Sequence, residues 1–176
     1  RLIEASANND IVVGSRFLDK NSLIKWNYFR TFLTRCGHYL TRNLLDLTYD
    51  ATGAFRLYRL STISVENFRL VKSTGYSFLF ESLYVLNVNQ HKICEIPIEL
   101  PARTYGHSKM KIQDVLNSLT FLCSLFLSSF LNPSKYMVGA PTGFISNVNL
   151  IDHQGWDDYW ARRKPLSRLL YDIIAS

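Results

Sequence analysis

Residues 11–14, Ile-Val-Val-Gly, form an apolar, largely β-branched run directly after the polar Asn8, Asn9 and Asp10. A strand that is apolar on both faces needs cover on both, which helix-flanked parallel sheets supply, so this run predicts a buried strand of an α/β sheet. The rest of the chain alternates in keeping with that. Leu23, Trp26, Phe29, Leu33, Cys36, Leu40 and Leu44 recur at three- and four-residue intervals, predicting one long amphipathic helix or a pair over 22–45. Residues 51–60 hold a glycine turn and an Arg-rich strand, 64–70 and 78–88 read as helices, and 92–100, with Ile93, Ile96 and Ile98, reads as a further strand. The expected class is α/β with a mixed sheet, followed by amphipathic helices. At 176 residues and 47% hydrophobic, the chain can build one ordinary core but not two comfortable ones.

A net charge of +6 makes nucleic acid, an anionic membrane surface and phosphate-bearing substrates the partner classes to weigh. The excess is local: residues 1–60 carry nine Lys or Arg against five acids, whereas 114–176 carry five against five. Behind the apolar stripe of 22–45 lie Lys25, Arg30, Arg35, His38 and Arg42, with no acid between them. Such a stripe fits a solvated surface, a phosphate site or a helix resting on anionic headgroups. Nucleic acid is set aside, because aromatic residues do not interleave with the basic stripe as stacking platforms would. Cys36, Cys94 and Cys123 stand far apart in apolar surroundings without a CxxC, which predicts buried, reduced thiols in a cytosol-facing protein. Residues 1–9 read as the middle of a helix running into a strand, and the chain as a fragment of a longer protein.

Residues 115–134 carry no charge, and their apolar part ends at Leu131 before Asn132 and Pro133. Asn117, Ser118, Thr120, Ser124, Ser128 and Ser129 dilute the run, leaving a strong stretch shorter than the roughly 20 residues of a membrane span. Both flanks are basic, Lys109 and Lys111 before it, Lys135, Arg162, Arg163 and Lys164 after it, so charge gives no orientation. An interfacial or re-entrant helix is expected rather than a span.

Four segments carry the chemistry: DIVVGSRF (10–17), DATGAFRLYR (50–59), GYSFLFE (75–81) and EIPIELPARTYGHSKM (95–110). In this order and spacing they resemble the later half of the GT-A domain of family 2 glycosyltransferases, specifically the dolichol-phosphate mannosyltransferase-like enzymes that load mannose or glucose onto a polyprenyl phosphate. The resemblance covers about residues 1–112, leaving 113–134 as the interfacial or re-entrant helix and 135–176 as a linker and helical tail. From the residues alone, Gly14 frees the backbone at a strand end, and Arg16 sits where α/β sheets place ligands, as an anion binder or paired with Asp19 or Asp10. Arg30 and Thr34, four apart, share a helical face and offer a guanidinium fork and a hydroxyl to one point. The resemblance implies that Arg16, Arg30 and Thr34 hold the acceptor phosphate.

Thr52 and Gly53 form a turn expected to deliver Phe55 to the core, while Asp50 and Arg56 either pair or face the sugar. The resemblance places Asp50 at the active-site edge as a catalytic candidate, with its role open. Glu81, expected at the start of a helix where it would complement the dipole, either orders the site or acts in it. Around Gly106, the cations Arg103 and Lys109 with Ser108 form either a solvated loop or a clamp over a diphosphate. The resemblance gives Arg103 and Lys109 the catalytic clamp, with Ser108 and Glu81 in support.

The activity so implied is transfer of a hexose, mannose favoured, from a nucleotide sugar to polyprenyl (dolichyl) phosphate by inverting displacement on the cytoplasmic face of a membrane. GDP-mannose is the favoured donor, a UDP-sugar the other candidate. A phosphate oxygen is already nucleophilic near neutral pH, so positioning and leaving-group stabilisation suffice, in keeping with four histidines that form no triad. The divalent metal, Mg or Mn, would be held by an Asp-x-Asp upstream of residue 1, since the adjacent Asp157 and Asp158 do not replace it; the isolated fragment is expected to be inactive. Another lipid or glycan acceptor, or a non-catalytic module binding anionic membrane, are the competing readings. The tail 155–176 is weakly similar to the opening helix of class I S-adenosylmethionine-dependent methyltransferases, against an amphipathic helix packed on the domain or on lipid.

Overall fold

The computed structural model describes residues 1–19, 22, 28–99 and 111–139. Arg103, Ser108, Lys109, Lys25 and the whole of 140–176, with its methyltransferase-like stretch, lie outside the described residues. The elements run α1 (Leu2–Ala5), β1 (Ile11–Ser15), α2 (Tyr28–Leu44), β2 (Arg56–Tyr58), α3 (Val65–Arg69), α4 (Tyr76–Val88), β3 (Ile93–Pro97) and α5 (Ile112–Leu131), closed by a 3-10 turn over Pro133–Tyr136.

The three strands form a mixed sheet in the order β2-β1-β3, with β1 antiparallel to β2 and parallel to β3. The β-branched run is its centre: every residue of β1 is buried, as a strand covered on both faces requires. The α/β class with a mixed sheet is as the sequence predicts. Helix α4 is apolar nearly all round and buries Phe80, Leu83, Tyr84, Val85 and Leu86, which join Ile11, Val13, Leu45, Leu47, Leu122 and Leu125 in one core.

Three sequence expectations change. Gly14 is required by close approach rather than by backbone freedom: a Cβ there would lie 2.6 Å from Phe55 Cδ1 and 2.9 Å from Ile98 Cγ2. Phe55 consequently lies over the strand end, 48% exposed, and not in the core. Cys123 is exposed on α5, while Cys36 and Cys94 are half-buried; all three are free thiols.

Helix α5 is 20 residues long, about 30 Å, so length alone does not bar it from crossing a membrane. It starts earlier than the uncharged run, because the Asp114 carboxylate accepts the Lys111 N–H and caps the first turn. Leu122, Leu125 and Ser129 bury one stripe, with α5 packed on α4, α2 and the closing turn, while Ile112, Leu116, Leu119, Cys123 and Leu127 line the outward side.

Candidate functional site

The carboxyl end of β1 delivers Arg16 into a buried ion pair. Its Nε donates to Asp50 Oδ2 at 2.8 Å and its Nη2 to Asp50 Oδ1 at 2.7 Å, and the Arg16 amide adds a 3.2 Å bond to Oδ2. Nη2 also donates to Thr52 Oγ1 at 2.7 Å, and the Arg16 guanidinium lies 5.7 Å from the Phe17 ring centroid. Two parallel N–H···O bonds fix the guanidinium plane as well as its place. The acid that Arg16 pairs with is thus Asp50; Asp10 is engaged at the other end of β1, where it accepts the Lys92 N–H and stands 3.6 Å from His91.

Asp50 is fully buried in an irregular stretch between α2 and β2. Burial alone pushes its carboxyl upward, but the hydrogen bonds and charge of Arg16, with a smaller contribution from His38, hold it below the usual carboxylate range. Gly53 packs tightly here, since a Cβ would come within 3.1 Å of Asp50 Oδ2. Arg56 does not pair with Asp50; its guanidinium donates to the carbonyls of Ala51 and Leu79.

A second carboxylate stands behind the pair. Glu95 on β3 accepts the Asp50 N–H at 2.6 Å. Burial, followed by the charge of Asp50, raises its pKa above the ordinary value, while the Asp50 N–H and Ser15 oppose the rise. Glu95 lay within the EIPI segment without a distinguishing signal, because only the fold brings β3 beside residue 50.

Helix α2 forms the neighbouring wall. At 3.6 residues per turn, Arg30, Thr34, Gly37 and Thr41 fall within about 60° of one another around the axis. Gly37 meets Thr52, where a Cβ would lie 3.3 Å from the Thr52 methyl, and His38 stacks on Phe17 with centroids 4.0 Å apart. Arg30 and Thr34 therefore continue, toward the start of the helix, the face that abuts the Arg16 cluster; Thr34 is half-buried and Arg30 exposed. The opposite face, lined by Tyr28, Thr31, Phe32, Arg35, Cys36 and Tyr39, holds a shallow apolar groove away from this cluster.

Glu81 lies in the middle of α4, not at its start, so it does not serve the helix dipole. Its Oε2 accepts the Lys72 and Ser73 N–H groups at 3.0 and 2.7 Å and the Ser73 hydroxyl at 2.5 Å, which pins the 72–73 segment. Among the described residues no three His, Cys, Asp or Glu side chains could hold a metal ion. Asp50 is committed to Arg16 and Glu95 to the Asp50 amide, so these residues do not fit a metal centre.

The two carboxylates predict opposite pH responses. Asp50, with its pKa lowered, adds stability that is present above its ordinary 3.8 and lost as pH falls through its folded value. Glu95, with its pKa raised, adds stability that is complete below its ordinary 4.5 and lost as pH rises through its folded value. Glu95→Gln is therefore expected to match the wild type in thermal unfolding at pH 4 and to exceed it at pH 7. A difference of the same size at both pH values would show that Glu95 ionisation carries none of this.

The cluster presents a guanidinium held in one plane at the carboxyl end of a sheet strand. Among curated proteins, the undecaprenyl-phosphate mannosyltransferase of Micrococcus luteus is 31% identical over 111 residues, 62% of this chain and 46% of that protein. The polyprenol monophosphomannose synthase of Mycolicibacterium smegmatis is 27% identical over 121 residues, 68% of this chain and 46% of that protein. The resemblance drawn from the four motifs is thus borne out, and the chain spans just under half the length of both relatives. No family model matches the chain, and no solved structure does.

Proposed function

We propose that the whole protein of which this chain is a part transfers a mannosyl group from a nucleotide sugar to a polyprenyl phosphate, within a GT-A fold. The observation that carries this reading is the Arg16, Asp50 and Thr52 cluster, with the Arg30 and Thr34 face of α2 beside it, in a chain similar to two enzymes named for that transfer. In this reading Arg16, Arg30 and Thr34 take the acceptor phosphate, and Asp50 holds Arg16 in line. The phosphate oxygen attacks the anomeric carbon, the bond to the nucleoside diphosphate breaks, and no side chain need remove a proton. Arg103 and Lys109 would meet the departing diphosphate with Ser108 in support, GDP-mannose is the favoured donor, and the ligands for a divalent metal lie outside this chain.

The protein works at a membrane surface in this proposal, on the cytoplasmic face. Adjacent helices α2 and α5 both turn apolar residues outward: Tyr28, Phe32 and Tyr39 from one, Leu116, Leu119 and Leu127 from the other. Because α5 is packed on the domain through residues 122–129, it suits the interface better than a crossing. The test is incubation of the full-length protein with radiolabelled GDP-mannose and undecaprenyl phosphate in detergent micelles. Labelled, alkali-stable and mild-acid-labile lipid is the expected product; label found only in a glycan or in diacylglycerol-based lipid would replace the acceptor assignment.

A further inference from the structure

We propose that Glu95 is a positioning residue that holds the Asp50 half of the Arg16–Asp50 pair from the neighbouring strand, and so sets the angle at which Arg16 meets an anion. This deepens the acceptor-site reading above and rests on it. The Asp50 N–H, donated to Glu95 Oε1 at 2.6 Å, belongs to a segment that no helix or strand holds: residues 45–55 lie between α2 and β2, and Asp46 there takes a positive φ of 56°. The backbone around residue 50 therefore needs an external anchor. Glu95 supplies it from β3, whose register with β1 pairs Glu95 with Val13 and Pro97 with Ser15.

Ser15, which immediately precedes Arg16, lies on the strand paired with β3 and opposes the rise in the Glu95 pKa. Glu95 thus stands on the strand beside the residue next to the guanidinium's owner while it holds the residue that supplies the counter-ion. Without it, the ion pair, the Arg16 bond to Thr52 Oγ1 and the Gly14 N–H on the Phe55 carbonyl still tie the segment to the strand end, but the Asp50 amide loses the partner that fixes it.

The experiment uses the full-length protein with three substitutions, Glu95→Ala, Glu95→Gln and Ser15→Ala. Glu95→Ala is expected to raise KM for undecaprenyl phosphate about tenfold, with kcat changed far less, and to speed hydrogen exchange at the Asp50 amide by a similar factor. Glu95→Gln, which retains an oxygen acceptor, should restore most of both. Ser15→Ala, a milder change that keeps the fold within reach should Glu95→Ala not fold, should shift KM in the same direction by about threefold. Unchanged Asp50 exchange in Glu95→Ala overturns the clamp, as does Gln behaving like Ala. If the wild type makes no polyprenyl-linked product, the acceptor reading falls instead. The exchange data then still decide whether Glu95 holds Asp50.

Discussion

Asp50→Ala is expected to destabilise the protein by about 3–5 kcal/mol, because it strands a buried guanidinium without its counter-ion. The Asp50 side chain is fully buried and that of Arg16 is 10% exposed, so water cannot replace the lost carboxylate. The Arg16 amide and the Thr52 hydroxyl lose a partner in the same step. Against a typical folding free energy of about 5–15 kcal/mol, this is a large fraction. Asp50→Asn is the graded companion, since it keeps the shape and one acceptor oxygen. It should cost less stability yet still loosen Arg16, and so lower the mannosyl transfer proposed for the whole protein. Urea unfolding of both variants checks the order. If Asp50→Ala unfolds like the wild type, the pair is not what aligns Arg16, and the cause must be sought in Thr52 and the stack of Phe17 on His38.

This coupling also changes what Arg16→Ala can report. A guanidinium bound only to phosphate could be removed with loss of acceptor affinity alone. Here its removal takes away the groups that hold the pKa of the buried Asp50 down and leaves that carboxyl without its partner, so a fall in activity would mix lost contact with lost structure.

The fold was legible where periodicity is strong. The β-branched run of β1, the three-four spacing of α2 and the uncharged length of α5 each reflect a face that must be buried or turned to an apolar surface, and that need is local to the sequence. What stayed hidden depends on contacts across the chain. Gly14 reads as a flexible strand end until Phe55 and Ile98, 41 and 84 positions further along (55 − 14 and 98 − 14), are seen to fill the space of its Cβ. Glu81 reads as a helix start because the apolar run begins at Phe78, whereas Gly75, with a positive φ, starts the helix earlier and moves Glu81 to its middle.

The site shows the same division. Arg16 and Asp50 were both marked by their motifs, but their pairing was not, since 34 residues separate them and nearer acids offered themselves. Glu95 was invisible for a deeper reason: a strand glutamate ordinarily faces solvent, and only the parallel pairing of β1 with β3 puts this one under Asp50.

Arg30→Ala is accordingly the cleaner probe of the acceptor phosphate. Arg30 is exposed near the start of α2, on the face shared with Thr34, Gly37 and Thr41, about 10 Å along the axis from where Gly37 meets Thr52. The loss of a charge-assisted contact to phosphate is worth about 1.5–3 kcal/mol, so KM for polyprenyl phosphate should rise about 10- to 150-fold. The nucleotide-sugar KM should stay within about twofold, since the donor meets other residues in the proposed reading. Arg30→Lys should recover part of the loss, because it restores the charge without the two-pronged fork. Thr34→Ala, which removes only a neutral hydroxyl donor on the same face, should cost less than Arg30→Ala. Equal rises in donor and acceptor KM for Arg30→Ala would place this residue on the donor side and remove α2 from the acceptor site.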